Sequence, residues 1–363
     1  MRWICIILLA SLKNHPRHPA TQIQHGFAFV HASDKYCCPS LLEKIFFGTN
    51  YRKEWATVVR VPVFDIRKTD FRIAEMGGGQ QTTSLELIDE KNREWVLRSV
   101  DKDVKPGSRF TRNKIINYIV QDHVSGSYPY AGLSVPEISH AAGVPAGEQY
   151  LCFVPNDSAF GEYRSAVANK VFMLVNKQPA EEKGITTGEM LGKLQADKQC
   201  SVDAKEYLKA RLIDWLVADW DRHDEQWRWI ERKTDSGIAF YVVPQDRDQA
   251  FYRSNGLLIK IVGSFFLPHL DKFNNKAKNI KQLSKKSWAL DKQLLGSLTR
   301  TDWETIIREF QKNVSDKVLV SAIRKQPPEI FAVRGNELIE KLRSRRNGLL
   351  EHAMKYYSFL TRS

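Results

Sequence analysis

The chain has 363 residues, of which 42% are hydrophobic and 11% aromatic, which is enough to bury a substantial core and excludes a disordered protein. Lysine and arginine (55 residues) outnumber aspartate and glutamate (42), and the net charge of +13 favours anionic partners such as nucleotides, nucleic acids or anionic surfaces. The 5 cysteines include no C-x-x-C pair, so they indicate neither a zinc site nor a disulfide framework.

The first twelve residues have two interpretations, and the sequence leaves both open. Arg2 precedes an apolar run from Trp3 to Ala10, which resembles the start of an export signal. No clear cleavage site follows, so a frayed or incorrectly assigned start is the alternative. The run is too short to span a bilayer, and we expect no transmembrane segment elsewhere. Export to the periplasm or cell envelope and a cytoplasmic location both stay open.

The next part of the chain predicts an antiparallel sheet. Residues 1–50 are rich in His, Cys and Pro, and we expect them to be irregular. From 51 to 175, β-branched and alternating patterns indicate short strands, interrupted by one helix over Thr111–Val124. The predicted strands are Thr57–Phe64, Ser84–Ile88, Trp95–Val100 and Tyr150–Val154, with a turn at Asp89–Arg93.

Helices dominate the prediction for residues 176–363. Apolar residues recur at helical spacing over 203–217, and Thr301 with Glu304 predicts a capping box at the start of a later helix. Asn336–Leu360 predicts one long amphipathic helix. A strand-rich part followed by a helical part indicates an α+β protein with two lobes.

Two acidic clusters are the densest chemical signal in the sequence. Residues 219–225 contain four carboxylates and one histidine directly after an apolar helix, and a later apolar strand ends at Asp246 and Asp248. Mg²⁺ is commonly bound by one or two carboxylates plus phosphate oxygens, so the clusters predict a metal and phosphate site. A surface salt-bridge network is the alternative, in which these carboxylates pair with Arg222, Arg228 and Arg247.

The strand-rich part offers candidate phosphate contacts. Glycines in Gly77–Gly79 would let backbone N–H groups approach phosphate, and Thr82 adds a hydroxyl; a plain hairpin turn is the alternative. Arg98 ends a basic strand about twenty residues later, and Lys102 follows it.

Four motifs together resemble a known group of proteins. They are Gly-Gly-Gly-x-Gln-Thr-x-Ser-Leu from Gly77, Leu-Arg-Ser-Val-Asp-Lys-Asp from Leu97, Asp-Trp-Asp-Arg-His-x-x-Gln-Trp from Asp219 and Asp-Arg-Asp-x-Ala-Phe from Asp246. Over about residues 48–360 the chain resembles the atypical kinase-like region of Bacteroidetes cell-envelope proteins, often found downstream of a metallophosphatase domain. It is distantly similar to CotH-type spore-coat, secretory-pathway and phosphoinositide kinases. The resemblance implies a bilobal protein-kinase-like fold, with the N-lobe over 51–175 and the helical C-lobe over 176–363.

The resemblance also implies a role for each matching residue, with ATP and Mg²⁺ as cofactors. Asp221 would orient or deprotonate the acceptor hydroxyl, and His223 would brace its loop. Asp246 would hold Mg²⁺, with Gln226 and Asp248 as further metal candidates. The nucleotide would be held by Gly77, Gly78, Gly79, Thr82, Arg98 and Lys102, with Asp122 as the acidic partner of the cation.

Two departures from the kinase pattern keep an alternative function open. Arg98 stands where kinases have a lysine, and Gln226 stands where they have asparagine or glutamate, which favours a pseudokinase of the cell envelope. The intact Asp221 and Asp246 favour phosphoryl transfer to an unidentified protein or small-molecule acceptor.

Two further classes of protein, nucleic-acid-binding proteins and metallophosphatases, match part of the sequence but lack other features that they need. A basic run could bind nucleic acid, but no aromatic platform accompanies it. The run consists of Lys272, Lys276, Lys278, Lys281, Lys285 and Lys286. Residues 219–223 also resemble one metallophosphatase element, but the Gly-Asn-His-Asp element of those enzymes is absent from the sequence.

Overall fold

The computed structural model describes residues 21–77, 82–102, 118, 121–257 and 273–362. Gly78, Gly79 and most of the predicted helix Thr111–Val124 lie outside these residues, although Tyr118 and residues 121–123 are helical.

The described strands form three sheets. In chain order they are β1 (Gln22–Gln24), β2 (Phe27–Val30), β3 (Val59–Pro62), β4 (Arg72–Gly77), β5 (Ser84–Ile88), β6 (Glu94–Ser99), β7 (Gln149–Val154), β8 (Lys170–Asn176), β9 (Ile185–Thr186), β10 (Cys200–Val202), β11 (Trp227–Thr234) and β12 (Gly237–Pro244). The sheets have the orders β1-β2-β3, β4-β5-β6-β8-β7 and β10-β12-β11-β9.

The described helices lie mostly in the C-terminal half. They are α1 (Leu41–Phe46), α2 (Arg52–Ala56), α3 (Ala131–Ala141), α4 (Arg164–Val167), α5 (Thr187–Ala196), α6 (Ala204–Val217), α7 (Ile280–Leu283), α8 (Trp288–Leu295), α9 (Arg300–Asn313), α10 (Asp316–Arg324), α11 (Pro328–Ile330), α12 (Asn336–Asn347) and α13 (Leu349–Arg362). Within the described ranges, every helix is too short or too polar to span a bilayer.

The five-stranded sheet is antiparallel throughout, and its central strands were predicted closely. Strand β5 has the predicted bounds, and β6 begins and ends one residue before the prediction. In the turn between them, the Asp89 carboxylate accepts a hydrogen bond from the Arg93 N–H at 2.9 Å. Asn92 has φ 59°, a left-handed conformation that Asn tolerates better than most residues.

Residues 21–50, which were expected to be irregular, carry strands and a helix. Strands β1 and β2 pair antiparallel, and β2 pairs with β3, so that Val30 lies opposite Val59. Tyr36 packs edge-on against Trp55 with ring centroids 5.1 Å apart, which joins this segment to the main core. Strand β3 is shorter than predicted, because Thr57 ends helix α2 and, beyond Pro62, the N–H of Phe64 donates to Phe153 of β7 instead of to β2.

The helical part is built around α6, as predicted for residues 203–217. Asp203 caps its N-terminus by accepting a hydrogen bond from the Glu206 N–H at 3.0 Å. Leu208, Leu212 and Trp215 are fully buried along it. The predicted α+β class, with a strand-rich N-terminal part and a helical C-terminal part, is therefore confirmed.

Two helix boundaries differ from the prediction. The capping box at the start of α9 is formed by Thr299 and Asp302, not by Thr301 and Glu304, because Thr299 has the extended backbone that an N-cap needs. The predicted long helix is two helices, α12 and α13, separated at Gly348. Glycine is a poor helix former, so the helix is interrupted at Gly348, although the apolar residues keep their helical spacing on both sides of it.

Candidate functional site

A cleft of about 130 Å³ lies between the five-stranded sheet, the start of α3 and the segment that follows β12. One end is lined by apolar groups, which are Val96, Tyr128, Ala131, Gly132, Met173 and Val175. The charged part is lined by Arg98, Lys102, Asp246 and Asp248, with Thr82 beside them, whereas Lys177 lies farther along the sheet and pairs with Glu86 at 2.8 Å. An apolar pocket with a few convergent polar groups is the usual form of a small-molecule site.

The alternation of strand β6 places Arg98 in this cleft. Successive side chains of a strand point to opposite faces, so Trp95 and Leu97 pack into a small core on the other side of the sheet. Val96 and Arg98 line the cleft. Arg98 lies opposite Ser84 on β5 and Met173 on β8, in the middle of the sheet.

Two ion pairs connect the sheet to the segment after β12. Arg98 Nη1 lies 2.5 Å from Asp246 Oδ2, and the Lys102 ammonium contacts the Asp248 carboxylate. The Asp246 carboxylate raises the pKa of Arg98. Burial opposes ionisation of Asp248, but the charges of Lys102 and Arg98 and hydrogen bonds from Lys102 and Gln249 together hold the pKa of that carboxyl below its usual range. Both predicted phosphate-binding cations thus face both predicted metal-binding carboxylates.

The hairpin β11–β12 brings the two acidic clusters together. Trp227 lies opposite Pro244, and one residue beyond, the Gln245 N–H donates to the Gln226 carbonyl at 2.9 Å. Asp246 comes next, with a left-handed backbone at φ 40°. Its Oδ1 accepts a hydrogen bond from the Asp248 N–H at 3.3 Å, which supports the sharp turn. The sequence pattern of two clusters joined by strand-turn-strand therefore folds into one neighbourhood.

The loop that carries Asp221 begins with a second left-handed residue, Ala218, at φ 56°. The Asp221 N–H donates to Asp219 Oδ1 at 3.1 Å, and the Asp221 carboxylate pairs with Lys286. Asp221 does not line the cleft itself. The candidates His223 and Gln226 lie at the end of the loop, where the Gln226 N–H donates to the His223 carbonyl at 3.0 Å.

Gln226 has a buried atom that matters for ligand binding. Only 9% of this residue is exposed, and its Oε1 accepts no hydrogen bond from the part of the chain that the structure describes. A buried carbonyl oxygen without a donor is costly unless a cation or another ligand meets it.

A buried ion network, formed by Arg211, Asp214, Asp219, Arg222 and Arg247, lies beneath this loop. Asp214 is fully buried and contacts Arg211 Nη1 and Arg247 Nε at 2.8 Å each, and Arg222 Nε at 3.3 Å. Arg222 also lies 3.2 Å from Asp219 and donates to the carbonyl of Gln245 at 2.5 Å. The network ties helix α6 to both acidic clusters.

The buried position of Asp219 changes its acidity. Burial raises the pKa of Asp219 to about 7, although the nearby Arg222 acts in the opposite direction. The network therefore contains one carboxyl that titrates near neutral pH.

The salt-bridge alternative is partly correct. Arg222 and Arg247 do pair with carboxylates, but these are Asp214 and Asp219 in the interior, and Arg228 donates to the carbonyls of Glu225 and Trp227. The three predicted site carboxylates have other partners, namely Lys286 for Asp221, Arg98 for Asp246 and Lys102 for Asp248.

Asp122 is not brought to the cleft cations. It forms a buried ion pair with Arg52 on α2, with Arg52 Nη2 2.6 Å from Asp122 Oδ1, and burial raises its pKa in spite of this pair. The position of Asp122 on a predicted helix could not indicate this partner, because Arg52 lies seventy residues earlier in the chain. Gly77 ends strand β4 opposite Ser84.

Sequence reasoning missed the residues that hold the site. Arg211 and Asp214 lie one turn apart in the buried second half of α6, where their neighbours are apolar, and charged residues at such buried positions are a usable signal. Lys286 was seen only as part of a basic run. Among the described residues, no group of three or more His, Cys, Asp or Glu side chains is placed to hold a metal ion.

The fold and the site define an α+β protein whose candidate cation, Arg98, lies on the third strand of the five-stranded sheet. No family model and no curated protein matches the chain. Among solved structures, the Helicobacter pylori proinflammatory kinase CtkA is 12% identical, with a TM-score of 0.40, over 79% of this chain and 99% of its own.

A second solved structure is the Rio2 kinase of Chaetomium thermophilum in complex with ADP, Mg²⁺ and phosphoaspartate. It is 17% identical, with a TM-score of 0.29, over 68% of this chain and 74% of its own. At these scores neither likeness carries weight for the site, whose chemistry rests on the contacts above.

Proposed function

We propose that this chain binds Mg-ATP in the cleft and transfers a phosphoryl group to an acceptor, as an atypical kinase. The observation that supports the proposal most is the meeting of two cations and two carboxylates, Arg98 with Asp246 and Lys102 with Asp248, beside an apolar pocket. Phosphoryl transfer depends mainly on positioning and on charge stabilisation, which this set of groups can supply.

The side chains present fit the two cofactors. Arg98 and Lys102 would contact phosphate oxygens, and the apolar end of the cleft would hold the base. Asp246 and Asp248 would hold Mg²⁺ together with phosphate oxygens, and the buried Oε1 of Gln226 offers a further oxygen ligand. When bound, Mg²⁺ supplies neutralisation of the phosphate charge.

Nucleotide binding requires the cleft to open. Its volume of about 130 Å³ is below the roughly 300–1,000 Å³ of ligand pockets. Separating the two ion pairs would widen the charged end and free the four groups for phosphate and metal. Phosphate and Mg²⁺ should therefore bind together, because either one alone would leave one member of each pair without a counter-charge.

A pseudokinase is the second candidate. The observation that favours it is that Asp221, Asp246 and Asp248 each already face a cation of the chain, so nucleotide could bind without transfer. The sequence motifs further support membership in the kinase-like group of Bacteroidetes cell-envelope proteins for either candidate.

Two substitutions separate these functions. Asp221→Ala should lower phosphoryl transfer by about 10²–10⁴-fold and leave nucleotide affinity nearly unchanged, because a positioning base acts mainly in the transition state. Asp246→Ala should weaken Mg-ATP binding itself, because a metal carboxylate is lost. Binding is measured by titration with a fluorescent ATP analogue, with and without Mg²⁺, and transfer by γ-labelled ATP. Asp316→Ala, at a half-exposed surface position, is the control.

The outcomes decide between the candidates. Mg-dependent ATP binding without transfer to the chain itself, to generic proteins or to envelope extracts would support the pseudokinase. If the wild-type chain binds no nucleotide, both candidates fail and the cleft charges are structural.

A further inference from the structure

Lys286 is the cation that faces the candidate base, and it comes from a separate segment of the chain. Its ammonium pairs with Asp221 Oδ1 and lies 5.2 Å from the centre of the Trp220 ring. The Lys286 side chain is 37% exposed and that of Asp221 is 26% exposed, so a ligand can reach both.

The segment that carries Lys286 is fixed to the Asp221 loop by its buried neighbours. Ser287 Oγ donates to the Arg222 carbonyl at 2.6 Å. Ser284 Oγ accepts hydrogen bonds from Arg211 Nη2 at 2.9 Å and from Trp215 Nε1 at 3.0 Å. Both serines are fully buried. The segment that carries Lys286 is therefore anchored to the Asp221 loop one residue away, at Ser287, and places the Lys286 ammonium against the Asp221 carboxylate.

We infer that Lys286 is a catalytic residue of the proposed transfer, which contacts the phosphoryl group as it passes to the acceptor. The inference rests on the proposed function. Lysine is a compact point charge with three rotatable donors, so its ammonium can move from the Asp221 carboxylate to a phosphoryl oxygen without losing its charge.

The bond between the γ-phosphorus and the bridging oxygen of ATP breaks, and its electron pair leaves with ADP. A bond forms between the acceptor oxygen and the same phosphorus, and the acceptor proton goes to the Asp221 carboxylate. Lys286 stays protonated and donates to a non-bridging oxygen, where negative charge is concentrated.

The adjacent Lys285 offers a matched control, because it is also exposed and Lys285→Met removes the same charge. Lys286→Met should lower the transfer rate by about 10²–10³-fold, as removal of one transition-state donor does, and leave the Kd for ADP nearly unchanged. Lys286→Arg should restore part of the rate, and Lys285→Met should resemble the wild type.

A second measurement needs no acceptor. Binding of Mg-ADP is measured by calorimetry with and without aluminium fluoride, which mimics the transferred phosphoryl group. Lys286→Met should lose the extra affinity that fluoride gives the wild type.

Each outcome is decisive. Equal fluoride-dependent affinity in wild type and Lys286→Met would overturn the role of Lys286 while leaving nucleotide binding intact. A faster transfer in Lys286→Met would also overturn it, because Lys286 would then be inhibiting Asp221. If the wild type binds no ADP with or without fluoride, the proposed function fails, and this inference fails with it.

Discussion

Asp214 is the carboxylate at the centre of the buried ion network, whose arginines also meet Asp219 and Asp291. It contacts three guanidinium groups, those of Arg211, Arg222 and Arg247, within 3.3 Å, and its side chain is fully buried. Asp214→Asn keeps the shape of the side chain and removes its charge, so one buried arginine charge loses its compensation. Breaking a buried pair in this way costs about 3–5 kcal/mol, and we expect a loss of that size in the free energy of unfolding.

The same substitution should also reach the cleft. Arg247 lies between Asp246 and Asp248 in the chain, and Arg222 donates to the Gln245 carbonyl at 2.5 Å. Asp214 thus holds the backbone from which both candidate metal carboxylates project. We expect Asp214→Asn to weaken Mg-ATP binding, if the proposed function holds, even under conditions where the variant is folded.

Urea unfolding followed by tryptophan fluorescence measures the loss. Asp316→Asn is the control, because the Asp316 side chain is 54% exposed and pairs with Arg343 and Arg346 at the surface. Surface pairs contribute about 0–1 kcal/mol, so the control should stay within that range. A loss for Asp214→Asn no larger than that of the control would refute the reasoning.

Two further predictions concern pH and the apolar end of the cleft. Because burial raises the pKa of Asp219 to about 7, the folded state holds a proton there that the unfolded state has lost, and this contribution to stability disappears as pH rises through about 7. The difference in urea midpoint between wild type and Asp219→Asn should therefore favour the wild type more at pH 5 than at pH 8; an equal difference at the two pH values would show an ordinary pKa. Gly132→Ala would place a Cβ 2.2 Å from Gln149 Oε1, and Gln149 lines the cleft, so nucleotide affinity should fall while thermal stability stays level or rises. Gly192→Ala, also in a helix but with nothing within 4 Å of the new Cβ, should leave nucleotide affinity unchanged while thermal stability rises, and an equal loss of affinity in the two variants would contradict the expectation.

The elements that the sequence predicted well are those with a strong local signal. Strands β5 and β6 alternate in hydrophobicity around a turn with Asp89 and Asn92, and α6 begins at a capping aspartate. Where two local signals compete, the prediction shifted, as at the start of α9, where Thr299 and Thr301 both precede an acidic residue by three positions.

Charge partners could not be predicted in the same way, because they are chosen by tertiary packing. Asp122 was assigned to the cleft from its place on a helix, whereas its partner Arg52 comes from a segment near the N-terminus. The motifs around Asp221 and Asp246 did indicate which two segments meet, since a single hairpin brings Gln226 beside Gln245. The motifs did not indicate Lys286, which lies about forty residues after Asp246 in the chain.

The geometry at Asp246 argues against a purely structural role for the cleft charges. An L-residue in the left-handed region costs about 1–2 kcal/mol, somewhat less for aspartate, whose side chain can bond locally. Its pair with Arg98 is partly exposed, at 33% and 28% of the two side chains, and such pairs contribute at most about 1 kcal/mol. The ion pair therefore contributes no more than about the strain of the turn that presents the carboxylate, which leaves no net stabilisation from the pair. Backbone strain of this kind concentrates at sites that bind ligands, where the gain comes from the bound state, and this favours a cleft whose charges meet a ligand over one whose charges only meet each other.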